Sequence, residues 1–128
     1  MPPAPRVAVV DDDVSIRRAT LSLLRAAGFS ASAFADAESF LGSKWRRGVS
    51  CLVADVRMPG MSGLELYEAL VASGEPIPTI LVTAHDDEAT RLRARKAGVH
   101  CYLSKPFSPE ELCECIRSAL AGRTTPTS

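Results

Sequence analysis

Three consecutive carboxylates, Asp11-Asp12-Asp13, follow the apolar run Arg6–Val10, and a lone Asp55 closes another, Cys51–Ala54. Thr83 ends a third run, Ile80–Thr83, and Lys105 stands just past a fourth, Cys101–Leu103. If these runs are strands of one open parallel sheet, every one of these polar stations falls at its carboxyl edge, where such sheets bind ligands. Two carboxylates held about 4 Å apart repel by roughly 4 kcal/mol at an effective dielectric near 20. A cluster of them is tolerable beside a divalent cation, and an all-oxygen donor set favours Mg2+ or Mn2+. A carboxylate beside such an ion can attack a phosphoryl group. A hydroxyl and an ammonium nearby would steady the equatorial oxygens that carry the charge. The chemistry predicted by these residue types is the formation of an aspartyl phosphate.

The segments between the runs must place those groups. A weaker strand candidate covers Phe29–Phe34, and the intervening stretches carry helical spacing. Ile16, Leu23, Leu24 and Ala27 lie near one helix face, with Gly28 where a C-terminal glycine belongs. Leu66, Tyr67 and Leu70 share a face after Ser62, a candidate N-cap. Ser108-Pro109-Glu110-Glu111 predicts a capping box with proline at the first helical position. Leu112, Cys115, Ile116, Ala119 and Leu120 then form the apolar stripe of that last helix. Cys113 lies about 100° off Leu112, so it is expected to be the most exposed thiol. Strand and helix alternate throughout, which predicts an α/β fold with a parallel sheet, right-handed crossovers and helices on both faces.

A chain of 128 residues with 46% hydrophobic side chains suits one compact domain that needs no staple. Its 15 basic and 15 acidic residues cancel, so no overall field draws it to nucleic acid or a membrane surface. Cys51 and Cys101 sit in apolar runs, and Cys113 and Cys115 diverge on one helix, so all four read as reduced structural thiols rather than metal ligands. The first residues hold no signal-peptide run, and a cytoplasmic location is the expectation. Residues 1–5 read as an N-terminal extension, 6–121 as the domain and 122–128 as a flexible tail or the start of a linker.

Four blocks carry a family resemblance: Val9-Val10-Asp11-Asp12-Asp13, Ala54-Asp55-Val56-Arg57-Met58-Pro59-Gly60-Met61-Ser62-Gly63, Val82-Thr83-Ala84 and Ser104-Lys105-Pro106-Phe107. In order and spacing they resemble the signature of response-regulator receiver domains of two-component signalling, nearest the FixJ-type branch, from about Arg6 to Leu120. The resemblance implies a doubly wound, flavodoxin-like, five-stranded parallel sheet of order 2-1-3-4-5. It implies that Asp55 is the phosphoacceptor and that Asp11, Asp12, Asp55 and the backbone carbonyl of Arg57 hold the Mg2+ (or Mn2+). Thr83 would be the switch hydroxyl, Tyr102 the aromatic switch, Lys105 the phosphate-contacting lysine, and the Lys105-Pro106 bond cis. Such a domain is a signalling phosphoacceptor rather than an enzyme on other substrates. Its partners would be a histidine kinase or phosphotransfer protein, and a downstream partner or second copy on the α4-β5-α5 face. The chain departs from the branch at Arg91, Arg95 and Gly98-Val99-His100-Cys101, which touches that face and not the phosphorylation site.

Some residues admit two readings. Asp13 is read as a helix N-cap rather than a third metal ligand. His85 is expected at the mouth of the site, tuning water access, and His100 as an ordinary edge residue. The basic run Arg91–Lys96 reads as a solvated helix face, although Arg91 and Arg95 share one side. The rival function is an aspartate-nucleophile phosphohydrolase of the haloacid dehalogenase type, since Asp11-Asp12-Asp13-Val14 partly fits its opening motif. That chemistry needs a further acid pair downstream. After Lys105 the acids are Glu110, Glu111 and Glu114, all on the capped helix. Nothing in these residues predicts DNA binding by this chain alone.

Overall fold

The structure is a computed structural model and describes residues Pro5–Ala121; residues 1–4 and the tail 122–128 lie outside it. The elements run β1 (Arg6–Val10), α1 (Val14–Ala26), β2 (Ser30–Phe34), α2 (Ala37–Leu41), a 3-10 turn (Lys44–Arg46), β3 (Cys51–Asp55), α3 (Gly63–Ala72), β4 (Thr79–Thr83), α4 (Glu88–Ala97), β5 (Cys101–Ser104) and α5 (Pro109–Leu120). The strands form one parallel sheet in the order β2-β1-β3-β4-β5.

Alternation along the strands sorts the core into two layers. Ala8, Val10, Leu52, Ala54 and Leu81 face one way and pack on Phe40 of α2, Leu64, Leu66 and Leu70 of α3, and Ala94 of α4. Val7, Val9, Cys51, Val53, Ile80 and Val82 face the other way and meet Leu24 of α1 and Leu112, Ile116 and Ala119 of α5. Each fully buried Leu or Ile contributes about 1.5–3 kcal/mol relative to exposure, which makes the three central strands the rigid part of the molecule. Rigid strand ends hold the polar residues that follow them.

Local signals start the helices where expected. Asp13 caps α1, accepting from the amides of Ser15 and Ile16 at 2.9 and 3.0 Å. Ser62 and Ser108 both close capping boxes, with Glu65 and Glu111. Gly28, just past α1, takes φ +95°, a conformation that favours glycine. Ala27, counted with the buried face of α1, is exposed at its end.

Cys113 corrects an expectation. It is 6% exposed, whereas Cys101 and Cys115 keep partial exposure. Cys113 lies at the base of a groove that α5 forms with Leu23 and Ala26 of α1 and the following Ala27. Burial pushes the Cys51 thiol up to about 12, as suits an inert core residue.

Gly63 matters most for the site. A Cβ there would meet the carbonyl oxygen of Asp55 at 2.3 Å, a backbone atom that no rotamer change can move. Gly63→Ala is expected to cost at least about 1–3 kcal/mol, as overpacking does. Urea denaturation checks this, and a variant as stable as the parent would show that α3 can slide off β3.

Candidate functional site

The carboxyl ends of β1, β3, β4 and β5 bring the predicted residues to one edge of the sheet. Asp11 leaves β1 and is only 3% exposed. Its amide donates to the Phe34 carbonyl at 3.1 Å, and its carbonyl accepts from the Arg17 guanidinium at 2.8 Å. Its Oδ1 accepts from the Asp13 amide at 2.9 Å, so the turn into α1 and the carboxylate orient each other. Asp55 is the last residue of β3, and its Oδ1 accepts from the Arg57 amide at 3.0 Å. That bond folds the chain so that Arg57 lies directly beyond the carboxylate.

Lys105 bridges the two acids. Its Nζ donates to Asp55 Oδ2 at 2.8 Å and to Asp11 Oδ2 at 3.3 Å, although the residues are 50 and 94 positions apart. Burial works to lower the lysine's pKa, but the hydrogen bonds and charges of Asp55 and Asp11 outweigh it, and the net displacement is upward. Asp11 is also displaced upward, chiefly by burial and further by the charge of Asp55. The Asp13 amide and Lys105 oppose this without cancelling it. Carboxylate oxygens of Asp11, Asp12 and Asp55 lie within 4.8 Å of one another. Three converging oxygens with one cation held between two of them form a donor set that suits a hard divalent ion.

Thr83 ends β4 and is 1% exposed. Its hydroxyl donates to the His85 carbonyl at 3.1 Å and accepts from the His85 amide at 3.0 Å. The Lys105 amide donates to the Thr83 carbonyl at 2.7 Å, tying the ends of β4 and β5 together. His85 is exposed, and its backbone rather than its ring makes these bonds. Tyr102 lies on β5 one residue before the register partner of Val82, with the Arg91 guanidinium 5.0 Å from its ring centroid. Its hydroxyl oxygen is buried without a hydrogen-bond partner among the described residues, and its ring packs against the core layer of α3 and α4. The Lys105-Pro106 peptide is cis.

The downstream acids stand elsewhere. Glu111 accepts from the Ser108 amide at 2.9 Å as part of the cap, and Glu110 and Glu114 border the groove against α1. They offer nothing to the carboxylate cluster, and the phosphohydrolase arrangement is not formed.

Several contributors escaped the sequence reading. Arg17 holds the Asp11 carbonyl, Gly63 lets α3 start against Asp55, and Asp86 accepts from both Arg91 and Ser104. Gly63 lies in the segment Ala54–Gly63, but no spacing rule announces a contact between two backbones. Arg17 and Asp86 act on partners whose proximity depends on the fold. Arg91, read as part of a solvated face, is engaged by Asp86 and Tyr102.

Comparison with known proteins agrees with this geometry. The model of the response regulator receiver domain family matches residues 7–117. The response regulator protein TodT of Pseudomonas putida is 42% identical over 112 residues, covering 88% of this chain and 49% of that protein. The transcriptional regulatory protein FixJ of Bradyrhizobium diazoefficiens is 38% identical over 112 residues, covering 88% of this chain and 55% of its own length. The chain thus spans about half the length of these curated relatives. The crystal structure of FixJ-N superposes with a TM-score of 0.83 at 34% identity, over 93% of this chain and 95% of that one. The family model covers nearly all of the described chain, and the sheet of order 2-1-3-4-5 is shared with solved receiver structures: the chain belongs to the response regulator receiver domains.

Proposed function

We propose that Asp55 takes a phosphoryl group from the phosphohistidine of a partner kinase or phosphotransfer protein, and that this charge resets the α4-β5-α5 face. The observation that carries the reading is Lys105, held at 2.8 Å from Asp55 and 3.3 Å from Asp11 beside the three converging carboxylates. The unit that does this is residues 6–121.

A carboxylate oxygen of Asp55 attacks phosphorus, an O–P bond forms and the N–P bond of the donor breaks. The electron pair returns to the imidazole nitrogen, which regains a proton. Lys105 is positioned to move from the carboxylate to a phosphoryl oxygen as charge grows there, and Thr83 offers a hydroxyl at the neighbouring strand end. Asp11, Asp12, Asp55 and the Arg57 carbonyl would hold a Mg2+ or Mn2+, which would supply positive charge to offset the negative charge of the transfer. The product adds about −1.5 to −2 charges at Asp55. Exposed His85, beside the Thr83 turn, tunes water access and with it the lifetime of the acyl phosphate. The chain promotes only its own phosphorylation and slow dephosphorylation. Downstream, the switched face binds a partner or a second copy, with no nucleic-acid contact from these residues and a cytoplasmic setting.

The test is incubation with acetyl phosphate and Mg2+, followed by borohydride reduction, which converts an aspartyl phosphate to homoserine. A single Mg2+-dependent phosphoryl adduct and homoserine at residue 55 are expected. Homoserine at residue 11 would instead restore the phosphohydrolase reading.

Asp11 gives a separate prediction. Because its folded pKa is raised, its contribution to stability is fully present below the ordinary carboxylate range and is lost as pH rises through the raised value. At neutral pH the ionised side chain therefore works against folding. Asp11→Asn is expected to be more stable than the parent without Mg2+, by on the order of 1 kcal/mol. Saturating Mg2+ should reverse the order, since an ion at 100 times its Kd stabilises by about 2.7 kcal/mol only where it binds. Thermal melts at neutral pH with and without Mg2+ check both halves. An equal Mg2+ response in the two proteins would remove Asp11 from the ligand set.

A further inference from the structure

Three thiols share one layer of the core, away from the carboxylate edge. Strand register sets Val9, Val53, Ile80 and Cys101 in one row across β1, β3, β4 and β5. Cys51 lies two residues before Val53 on the same face, and α5 covers that face with Leu112, Ile116 and Ala119. Cys115 of α5 packs on the same layer. Cys101 and Cys115 meet there, the Cys101 thiol donating a hydrogen bond to the Cys115 sulfur.

A second contact holds the same two elements together. His100 Nε2 lies 3.0 Å from Ser118 Oγ. Ser118 is three residues beyond Cys115, so one side of α5 carries both contacts. The start of β5 therefore meets α5 through a polar pair and a thiol pair, and each sets the register of the other.

The four cysteines differ in what can reach them. Cys51 is fully buried, and burial pushes its thiol up to about 12. Cys113 is also buried, whereas Cys101 and Cys115 both keep partial exposure. Cys101 lines an open pocket with Arg91, Arg95 and Tyr102, which gives a small oxidant a way in. The hydrogen bond from Cys101 holds the Cys115 thiol below its ordinary value, against burial and the charges of Glu114 and Glu111. The same bond, with burial, raises Cys101. A thiol that ionises more readily beside one that can resolve its oxidised form is what turns oxidation toward a disulfide.

We propose that Cys101 and Cys115 are a redox-responsive pair, which a peroxide converts into a reversible disulfide tying α5 to β5. The Cys115 thiolate attacks one peroxide oxygen, the O–O bond breaks, hydroxide leaves and a sulfenic acid forms. The Cys101 sulfur then attacks the Cys115 sulfur. An S–S bond forms, the S–O bond breaks, and the hydroxyl departs with the Cys101 proton as water. The two thiols lose two electrons, and the peroxide is reduced to water. A dithiol reductant reverses the change by thiol–disulfide exchange. A bond that forms and breaks in this way suits a reducing compartment, where disulfides are transient and sensory. It would join two elements of the α4-β5-α5 face, yet its chemistry does not depend on Asp55.

The test treats the reduced full-length chain with stoichiometric hydrogen peroxide, then denatures it in N-ethylmaleimide. Digestion without reduction uses a glutamate-specific protease, which cuts at Glu111 and Glu114 and so separates Cys113 from Cys115. The expected product has lost two hydrogens, carries two alkylated thiols and yields one cross-linked pair of peptides, from Cys101 and Cys115. Dithiothreitol should restore four alkylatable thiols. Cys113→Ser is expected to cross-link at the parental rate, and Cys115→Ser to lose the link. The urea-unfolded chain should give a mixture of pairings and form the Cys101–Cys115 link at least about tenfold more slowly, since only the fold holds the two sulfurs together. A dominant link through Cys51 or Cys113, a disulfide between two chains, or peroxide treatment that leaves no S–S bond overturns the proposal. Equal formation of the link in the folded and unfolded chains overturns it too, because the structure would then contribute nothing.

Discussion

Asp55→Asn is expected to gain no phosphoryl mass under conditions that label the parent completely. The substitution keeps the shape of the side chain and an oxygen to accept from the Arg57 amide, a bond of 3.0 Å in the parent. It removes the only feature chemistry requires, a charged oxygen able to attack phosphorus. Folding should survive, because Lys105 retains Asp11 as a partner and the carboxylate cluster loses one repulsion. Intact mass and a thermal melt taken on the same preparation separate the two effects. A folded Asp55→Asn protein that still accepts one phosphoryl group would move the acceptor to another residue.

Lys105→Ala is expected to slow labelling by acetyl phosphate roughly 10²- to 10³-fold, the usual consequence of removing one positioned donor to a developing oxyanion. The lysine has two duties. Before phosphorylation it separates Asp11 from Asp55, and its raised pKa records that service. For an amine the sign is plain: the stabilisation is fully present below the ordinary lysine value and is lost as pH rises through the raised one. The parent should therefore exceed Lys105→Ala in stability throughout the neutral range, and the gap should close only in strong alkali. Adding Mg2+ should narrow it at neutral pH by supplying another counter-charge. Denaturation at neutral and alkaline pH, with labelling kinetics beside it, checks each part. A variant that labels at the parental rate would show the lysine to be a spacer for the carboxylates and nothing more.

Arg91, read in sequence as part of a solvated helix face, pairs with Asp86 and lies over the Tyr102 ring.

What the amino-acid sequence determined by itself is everything that depends on neighbours along the chain. Arg6–Val10 and Cys51–Ala54 read as strands because they are short apolar runs between stretches of helical spacing, which puts Asp11 and Asp55 at strand ends. Asp13, Ser62 and Ser108 start helices because their side chains reach amides two or three residues on. Once the strands are parallel, the acids, Thr83 and Lys105 have to share an edge. Tertiary structure decided the contacts between elements distant in sequence. Cys113 lies off the apolar stripe of its own helix, yet it is buried at the base of the groove between α5 and the end of α1. Gly63 is required by a carbonyl eight residues earlier, brought against it by the turn between β3 and α3. Asp86 finds Ser104 only because β4 and β5 are adjacent, and Lys105 finds Asp11 only because the parallel sheet brings the carboxyl ends of β1, β3, β4 and β5 to one edge. Periodicity and capping act over one or two turns of chain. Hydrogen bonds and packing between elements depend on the crossovers, whose geometry is set by the burial of the whole core.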